Sequence, residues 1–311
     1  MNTVWGTLRV ADAHVHFFSH RFFSMLASQA GLSFAEAEKK LGWHMPPEDP
    51  ADFAAHWKDE LDRYTVARAS LIASLPGDED SAAAAVRAFP DRFTGYFLAN
   101  PLAPDALQRT RRAFDECGLR GLCLFPAMHR YSIHDERARA LIALAAERPG
   151  TLVFVHCGVL SVGVRNRLGL PSPFDLRFSN PIDLHAIALD HPRLPFVIPH
   201  FGAGYFREAL MVAGLCPNVY LDTSSSNSWR RYLETPLDLD SVFRRALAVC
   251  GPERLLFGTD SSYFPRGWHA AIFTEQAQAL EQADAGAEAA RAIFGGNLER
   301  LLGLEAKSAS A

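Results

Sequence analysis

The sequence predicts a single-domain (β/α)8 barrel, and three observations carry that prediction. Eight apolar runs recur along the chain at 8–11, 67–74, 93–99, 118–125, 152–156, 195–200, 219–223 and 255–260. They are near-continuously apolar rather than alternating, as parallel strands buried on both faces require. Helix-forming stretches separate them, and eight βα units in order close most simply into a barrel. The chain has 311 residues, enough for one such barrel, and no linker or internal repeat divides it.

Taken in order, the helical stretches are each recognisable by composition. Residues 82–89 are alanine-rich, 106–117 carry apolar residues at helical spacing, and 136–147 (ERARALIALAAE) are strong helix formers. Asn180 followed by Pro181 reads as a cap and first turn of a helix reaching residue 190. Stretches 207–213, 241–249 and 270–282 follow, and 287–304 closes the outside of a domain spanning 1–305. Residues 306–311, an Ala-Ser tail, are expected to be disordered.

Two connections are too long for simple turns. The first, 17–64, is predicted to form a helical insertion that serves either as a lid or as a dimer contact. The second runs from 158 to 179 and carries Arg165, Arg167 and Arg177 among glycines and prolines. Both leave the C-terminal ends of strands, the face on which barrels of this type carry their chemistry.

Composition narrows the function classes. With 49% hydrophobic and 21% charged residues, the chain reads as a soluble globular protein. Its net charge of -4 argues against a general nucleic-acid binder, and no apolar stretch has the length of a membrane span. Cys117, Cys123, Cys157, Cys216 and Cys250 form no Cys-x-x-Cys pair, which fits reduced thiols. Without a basic start and apolar core at the N-terminus, a cytoplasmic location is expected.

The chemistry sits at the strand ends. In Asp12-Ala13-His14-Val15-His16 the two histidines are two apart, so both side chains point to one face of a strand. The fifth run ends in His156, the sixth in His200 and the eighth in Asp260. Singly, a histidine in an apolar run is most often a packing residue; five metal-competent side chains at one topological level predict a metal site. His20, His44, His56, His134, His185, His191 and His269 lack such company and read as surface or packing residues.

These motifs, with Val-His-Cys-Gly at 155–158, Pro-His-Phe-Gly-Ala-Gly at 199–204, Asn-Val-Tyr-Leu-Asp-Thr-Ser at 218–224 and Leu-Phe-Gly-Thr-Asp at 256–260, resemble the amidohydrolase superfamily. The chain is most similar to the amidohydrolase-2 branch, which includes aminocarboxymuconate-semialdehyde decarboxylase and related metal-dependent hydrolases. The resemblance implies that His14, His16, His156 and Asp260 ligate a metal and that His200 sits beside the metal-bound water. It also gives Asp260 a second role, carrying a proton to the leaving group. Binuclear relatives bridge their ions with a lysine after the fourth strand; Lys39, Lys40, Lys58 and Lys307 all lie elsewhere, so one divalent ion is expected. Zinc is the default for three histidines and a carboxylate, with iron or manganese as alternatives.

The substrate is expected to be a small molecule, with no nucleic-acid or membrane partner and a homodimer as the oligomer to test. His129, Arg130, Arg165, Asp222 and Tyr263 are candidate substrate contacts, and Ser261, Ser262 and Trp268 border the pocket. For Asp222, a hydrogen bond to a ligand histidine is the competing role. The leading activity is hydrolysis of a carboxylated ester, lactone or amide-like bond by activated water. Non-oxidative decarboxylation of an unsaturated or aromatic acid is the alternative, and a ligand-binding barrel without catalysis is the third reading.

Overall fold

The computed structural model describes residues 1–224 and 227–304, and the expected tail at 306–311 lies outside them. Among the described residues, eight parallel strands follow one another in chain order around a single sheet. They are β1 (Val10–Phe17), β2 (Val66–Ala73), β3 (Phe93–Ala99), β4 (Gly121–Leu124), β5 (Leu152–Val155), β6 (Phe196–Ile198), β7 (Val219–Asp222) and β8 (Leu255–Leu256). The ring closes where residues 257–261 run beside β1. Ala13 N donates to Phe257 O at 2.8 Å, Asp260 N to His14 O at 3.0 Å and His16 N to Ser261 O at 2.7 Å. This is the predicted (β/α)8 barrel.

The outer layer comprises α4 (Glu79–Ala88), α5 (Ala106–Asp115), α7 (Glu136–Ala146), α9 (Leu184–Asp190), α10 (Phe206–Leu215), α11 (Leu239–Cys250) and α12 (Ala270–Gln282). The chain ends in α13 (Ala287–Arg291), a π turn at Ala292–Gly296 and α14 (Asn297–Leu301). Asn180 does cap, accepting from Ile182 N at 3.0 Å. The turn it starts, Pro181–Asp183, is a 3-10 turn that leads into α9.

Several strand ends differ from the sequence expectation. β1 continues through the histidine motif instead of ending before it. It does so by changing faces. Val10, Val15 and Phe17 pack outward with the helices, whereas Ala11 and Ala13 pack into the barrel interior with Phe154 and Leu256. A register shift between Asp12 and Val15 switches the parity, so that His14 follows Ala13 onto the interior side and packs on Phe154. Irregularities of this kind re-aim side chains at functional sites. β6 stops at Ile198 because Pro199 cannot donate to the sheet and His200 and Phe201 adopt φ of 54° and 51°. β8 has two residues, since the chain leaves the ladder before Asp260, whose φ is 57°.

The 17–64 connection folds as three helices, α1 (His20–Gln29), α2 (Phe34–Leu41) and α3 (Pro50–Arg63). Each start has a local cause: Ser19 Oγ accepts from Phe22 N, Ser33 and Glu36 form a capping box, and Asp49 caps a helix opened by Pro50. Two short helices, α6 (Pro126–His129) and α8 (Gly163–Leu168), follow β4 and β5. The two long connections meet each other. Phe18, Phe22, Phe23 and Leu26 pack with Leu41, Val164 and Leu168 in one apolar cluster. α3 instead returns to the barrel wall, burying Phe53, Trp57 and Leu61 in the main core. All five cysteines are buried and unpaired, and no described helix is long and apolar enough to cross a membrane.

Candidate functional site

At the C-terminal end of the barrel, ligand atoms of His14, His16 and Asp260 lie within 4.8 Å of one another. His14 Nε2 and His16 Nε2 are 3.3 Å apart, and Asp260 Oδ1 is 3.2 Å from the latter and 3.7 Å from the former. The far side of each ring fixes its tautomer. His14 Nδ1 donates to Asp222 Oδ2 at 2.7 Å. His16 Nδ1 lies 2.6 Å from Ser74 Oγ, whose single proton goes to Ile72 O at 3.0 Å, so the imidazole is the donor. Both Nε2 atoms therefore present lone pairs to Asp260 Oδ1. Three electron-rich atoms aimed at one point repel one another until a cation sits among them, and the set suits a divalent metal.

His200 Nδ1 lies 3.2 Å from Ser224 O, which only accepts, and 3.0 Å from Ser224 Oγ. That leaves its proton on Nδ1 and Nε2 open. Its ring is 5.0 Å from that of His14 and 5.5 Å from that of His156. His156 stacks on Phe125, and its Nδ1 is buried with no partner among the described residues, which suits a metal ligand. It stands outside the converging trio of His14, His16 and Asp260.

Burial dominates the electrostatics. It lowers the pKa of His16, His156 and His200, most strongly for His156, where neighbouring imidazoles add to it. For His14, burial is outweighed by the Asp222 carboxylate, and the pKa is raised. Asp260 is the opposite case: burial favours its neutral form, but the neighbouring His16, His14 and His200 imidazoles outweigh it and hold the carboxyl far below the usual carboxylate range. Behind β1, burial pushes Asp12 up to about 6, although its carboxylate accepts from His14 N, Thr259 N, Thr259 Oγ1 and Trp268 Nε1. Asp12 ties β1 to the closing segment, and so ties His14 to Asp260.

A cavity of about 580 Å³ opens over these residues. Phe18, Phe22, Leu26 and Trp43 from the first insertion and Val162 and Val164 from the second line it, so these connections form its roof. Of the candidate contacts, His129, Arg165 and Tyr263 line the cavity, as do Arg167 of the second connection and Ser262. Tyr263 stacks on Trp43 at 3.8 Å. The others are elsewhere. Asp222 is fully buried behind His14, in the competing role considered for it. Arg130 is exposed and donates to Pro173 O, and Arg177 pairs with Asp175. Ser261 and Trp268 are buried among hydrogen-bond partners in the closing segment. His20, His44, His56, His134, His185, His191 and His269 stand outside the cavity wall.

Sequence reasoning missed Ser74, Ser224 and Arg266. Ser74 ends the second apolar run, but nothing in sequence shows that it faces His16. A wider groove of about 930 Å³ beside α10 is lined by no histidine, cysteine or aspartate.

The sequence matches the family described as Amidohydrolase (Amidohydro_2) over residues 11–304. It is similar to protein fluG of Emericella nidulans, 34% identical over 88 residues, which are 28% of this chain and 10% of that protein. The matched stretch is thus about a tenth of that relative's length. Among solved structures it resembles 5-carboxyvanillate decarboxylase from Sphingomonas paucimobilis, with 16% identity, TM-score 0.64, and 95% of this chain and 99% of that one covered. It also resembles a probable 2-pyrone-4,6-dicarboxylic acid hydrolase from Acinetobacter baumannii with citric acid bound, with 14% identity, TM-score 0.60 and coverage of 95% and 100%. An amidohydrolase from Burkholderia multivorans with bound zinc gives 18% identity, TM-score 0.63 and coverage of 96% and 100%. At such identities the likeness concerns the fold alone. The family match covers nearly the whole barrel, and on that ground the chain belongs to the amidohydrolase family.

Proposed function

We propose that the chain is a metal-dependent hydrolase acting on an ester, lactone or amide-like bond in a small substrate that carries a carboxylate. The observation that carries this reading is the convergence of His14 Nε2, His16 Nε2 and Asp260 Oδ1 on the cavity floor, beside the open Nε2 of His200. His14, His16, His156 and Asp260 would hold one divalent ion, with zinc first by donor chemistry. Such an ion, when bound, supplies Lewis acidity and lowers the pKa of a water ligand to about 7.

The protein's own residues supply the rest. Burial keeps His200 in its neutral form, and the Ser224 carbonyl orients the ring, so that Nε2 accepts a proton at the cavity floor. Asp260, ionised at rest, takes the remaining proton from the oxygen added by water and releases it to the leaving atom, returning to the carboxylate. Arg165, Arg167 and Arg266 line a cavity in which Asp260 is the only acidic side chain among the described residues, a balance that favours an anionic substrate. The aromatic roof limits the entry of bulk water.

Product analysis with carboxylated lactones and esters tests the reading. A product that has gained the elements of water supports hydrolysis. Release of CO₂ without water addition would overturn it in favour of decarboxylation, the reaction named for one of the structural relatives.

A further inference from the structure

The arginines around the cavity are not equivalent. Arg165 spends its guanidinium inside the roof, donating through Nε and Nη2 to Pro171 O and through Nη1 to Gln29 Oε1. Arg167 is exposed at the mouth, its guanidinium 5.8 Å from the centre of the Trp43 ring. Arg266 differs from both. It is half-buried and lines the cavity, yet it makes no ion pair with any described carboxylate.

Its orientation is fixed all the same. Nη2 donates to Asp260 O at 3.1 Å and to Ser262 Oγ at 3.0 Å. The guanidinium carbon sits 4.6 Å from the centre of the Tyr263 ring, which itself stacks on Trp43. Nε is buried without a partner among the described residues, and Nη1 makes no hydrogen bond with them. A cation withdrawn from water, held on one edge and stacked on an aromatic face is left short of an anion. A planar guanidinium offers paired N–H groups that match a carboxylate.

We infer that Arg266 is a specificity-determining residue that binds a substrate carboxylate lying away from the bond that reacts, an inference that rests on the reading of this cavity as the substrate site. Because Nη2 donates to the backbone carbonyl of Asp260, the bound carboxylate is registered against the same residue that completes the metal trio. The favoured substrate class is a small acid with a second polar group, carbonyl or carboxylate, directed at the cavity floor.

The test uses isophthalate as probe, titrated calorimetrically into the full chain, both metal-loaded and after EDTA treatment. Benzamide serves as the uncharged comparison. Wild type is expected to bind isophthalate at least about tenfold more tightly than benzamide. R266Q should lose about 10-fold to 100-fold in isophthalate affinity, the scale of a charge-assisted hydrogen-bond pair, with benzamide binding unchanged. R266K, which keeps the charge without the planar fork, should recover part of the loss, an outcome that a folding defect would not give. The Arg266-dependent factor should persist in the EDTA-treated chain. Absence of metal from the protein would then defeat the hydrolase reading and leave this inference standing. Wild-type affinity in R266Q, a loss confined to R165Q, or no isophthalate binding by wild type would each overturn the inference.

Discussion

His14 Nδ1 lies 2.7 Å from Asp222 Oδ2, and both side chains are almost wholly removed from solvent. The pair joins the first strand of the barrel to the seventh. It holds the imidazole in the tautomer that turns Nε2 toward Asp260, while Asp222 Oδ1 accepts from Ser224 N at 2.5 Å. Ser224 in turn reaches His200. One buried carboxylate therefore sets the pose of a proposed ligand and, through Ser224, the pose of the proposed base.

Replacing Asp222 with Asn removes the charge opposite His14 and keeps the shape. Metal affinity should fall by about 10-fold to 100-fold, the usual effect of losing a carboxylate behind a ligating histidine. Competition with a chromophoric chelator measures it. Unchanged affinity would show that His14 does not depend on this bond.

Ser74→Ala removes the acceptor for His16 Nδ1. A buried N–H left without a partner costs about 1–3 kcal/mol. The variant should unfold at lower denaturant concentration and bind metal more weakly than wild type. A stability curve that overlays wild type would mean that His16 uses its other tautomer.

Gly258 stands where no side chain fits. A β-carbon there would lie 2.8 Å from His14 Cβ, 3.0 Å from Ser224 Cβ and 3.1 Å from Asp222 Oδ1. Gly258→Ala should destabilise the fold by about 1–3 kcal/mol, as overpacked cores do, and weaken metal binding by displacing His14. Normal stability with normal metal content would contradict the packing described around His14.

Acid sensitivity should have a contribution from His129, whose imidazole burial pushes down to about 4 and whose Nδ1 has no partner among the described residues. The unfolded chain takes up this proton near pH 6.5, the folded chain only near pH 4. The stability carried by neutral His129 is therefore complete above pH 6.5 and is lost as the pH falls toward 4, by about 3 kcal/mol at most. Urea denaturation at pH 7.5 and pH 5 should show a smaller drop for His129→Gln than for wild type. Equal drops would mean that His129 is solvated in the folded protein.

The barrel was legible in sequence because strands buried on both faces must be largely apolar, and β3 is buried at each of its positions. His14, His16 and Asp260 were legible because spacing and strand ends give direction. What sequence hid is contact between distant segments. The face switch in β1 depends on pairing with β2, so sequence does not show that the strand runs on past the His-x-His motif to Phe17. Asp222 carried two readings until its distance from His14, over two hundred residues away in sequence, separated them. The arginines show the same limit: Arg165 and Arg266 look alike in sequence, and only the contacts with Pro171 O and Gln29 Oε1 mark the one already engaged.

Elemental analysis by plasma mass spectrometry, on protein purified without chelator, tests the central claim most directly. Wild type should carry about one zinc, iron or manganese ion per chain, and the His14→Ala/His16→Ala double variant should carry none. A metal-free wild type, two ions per chain, or full metal content in the double variant would contradict a mononuclear centre built on these residues.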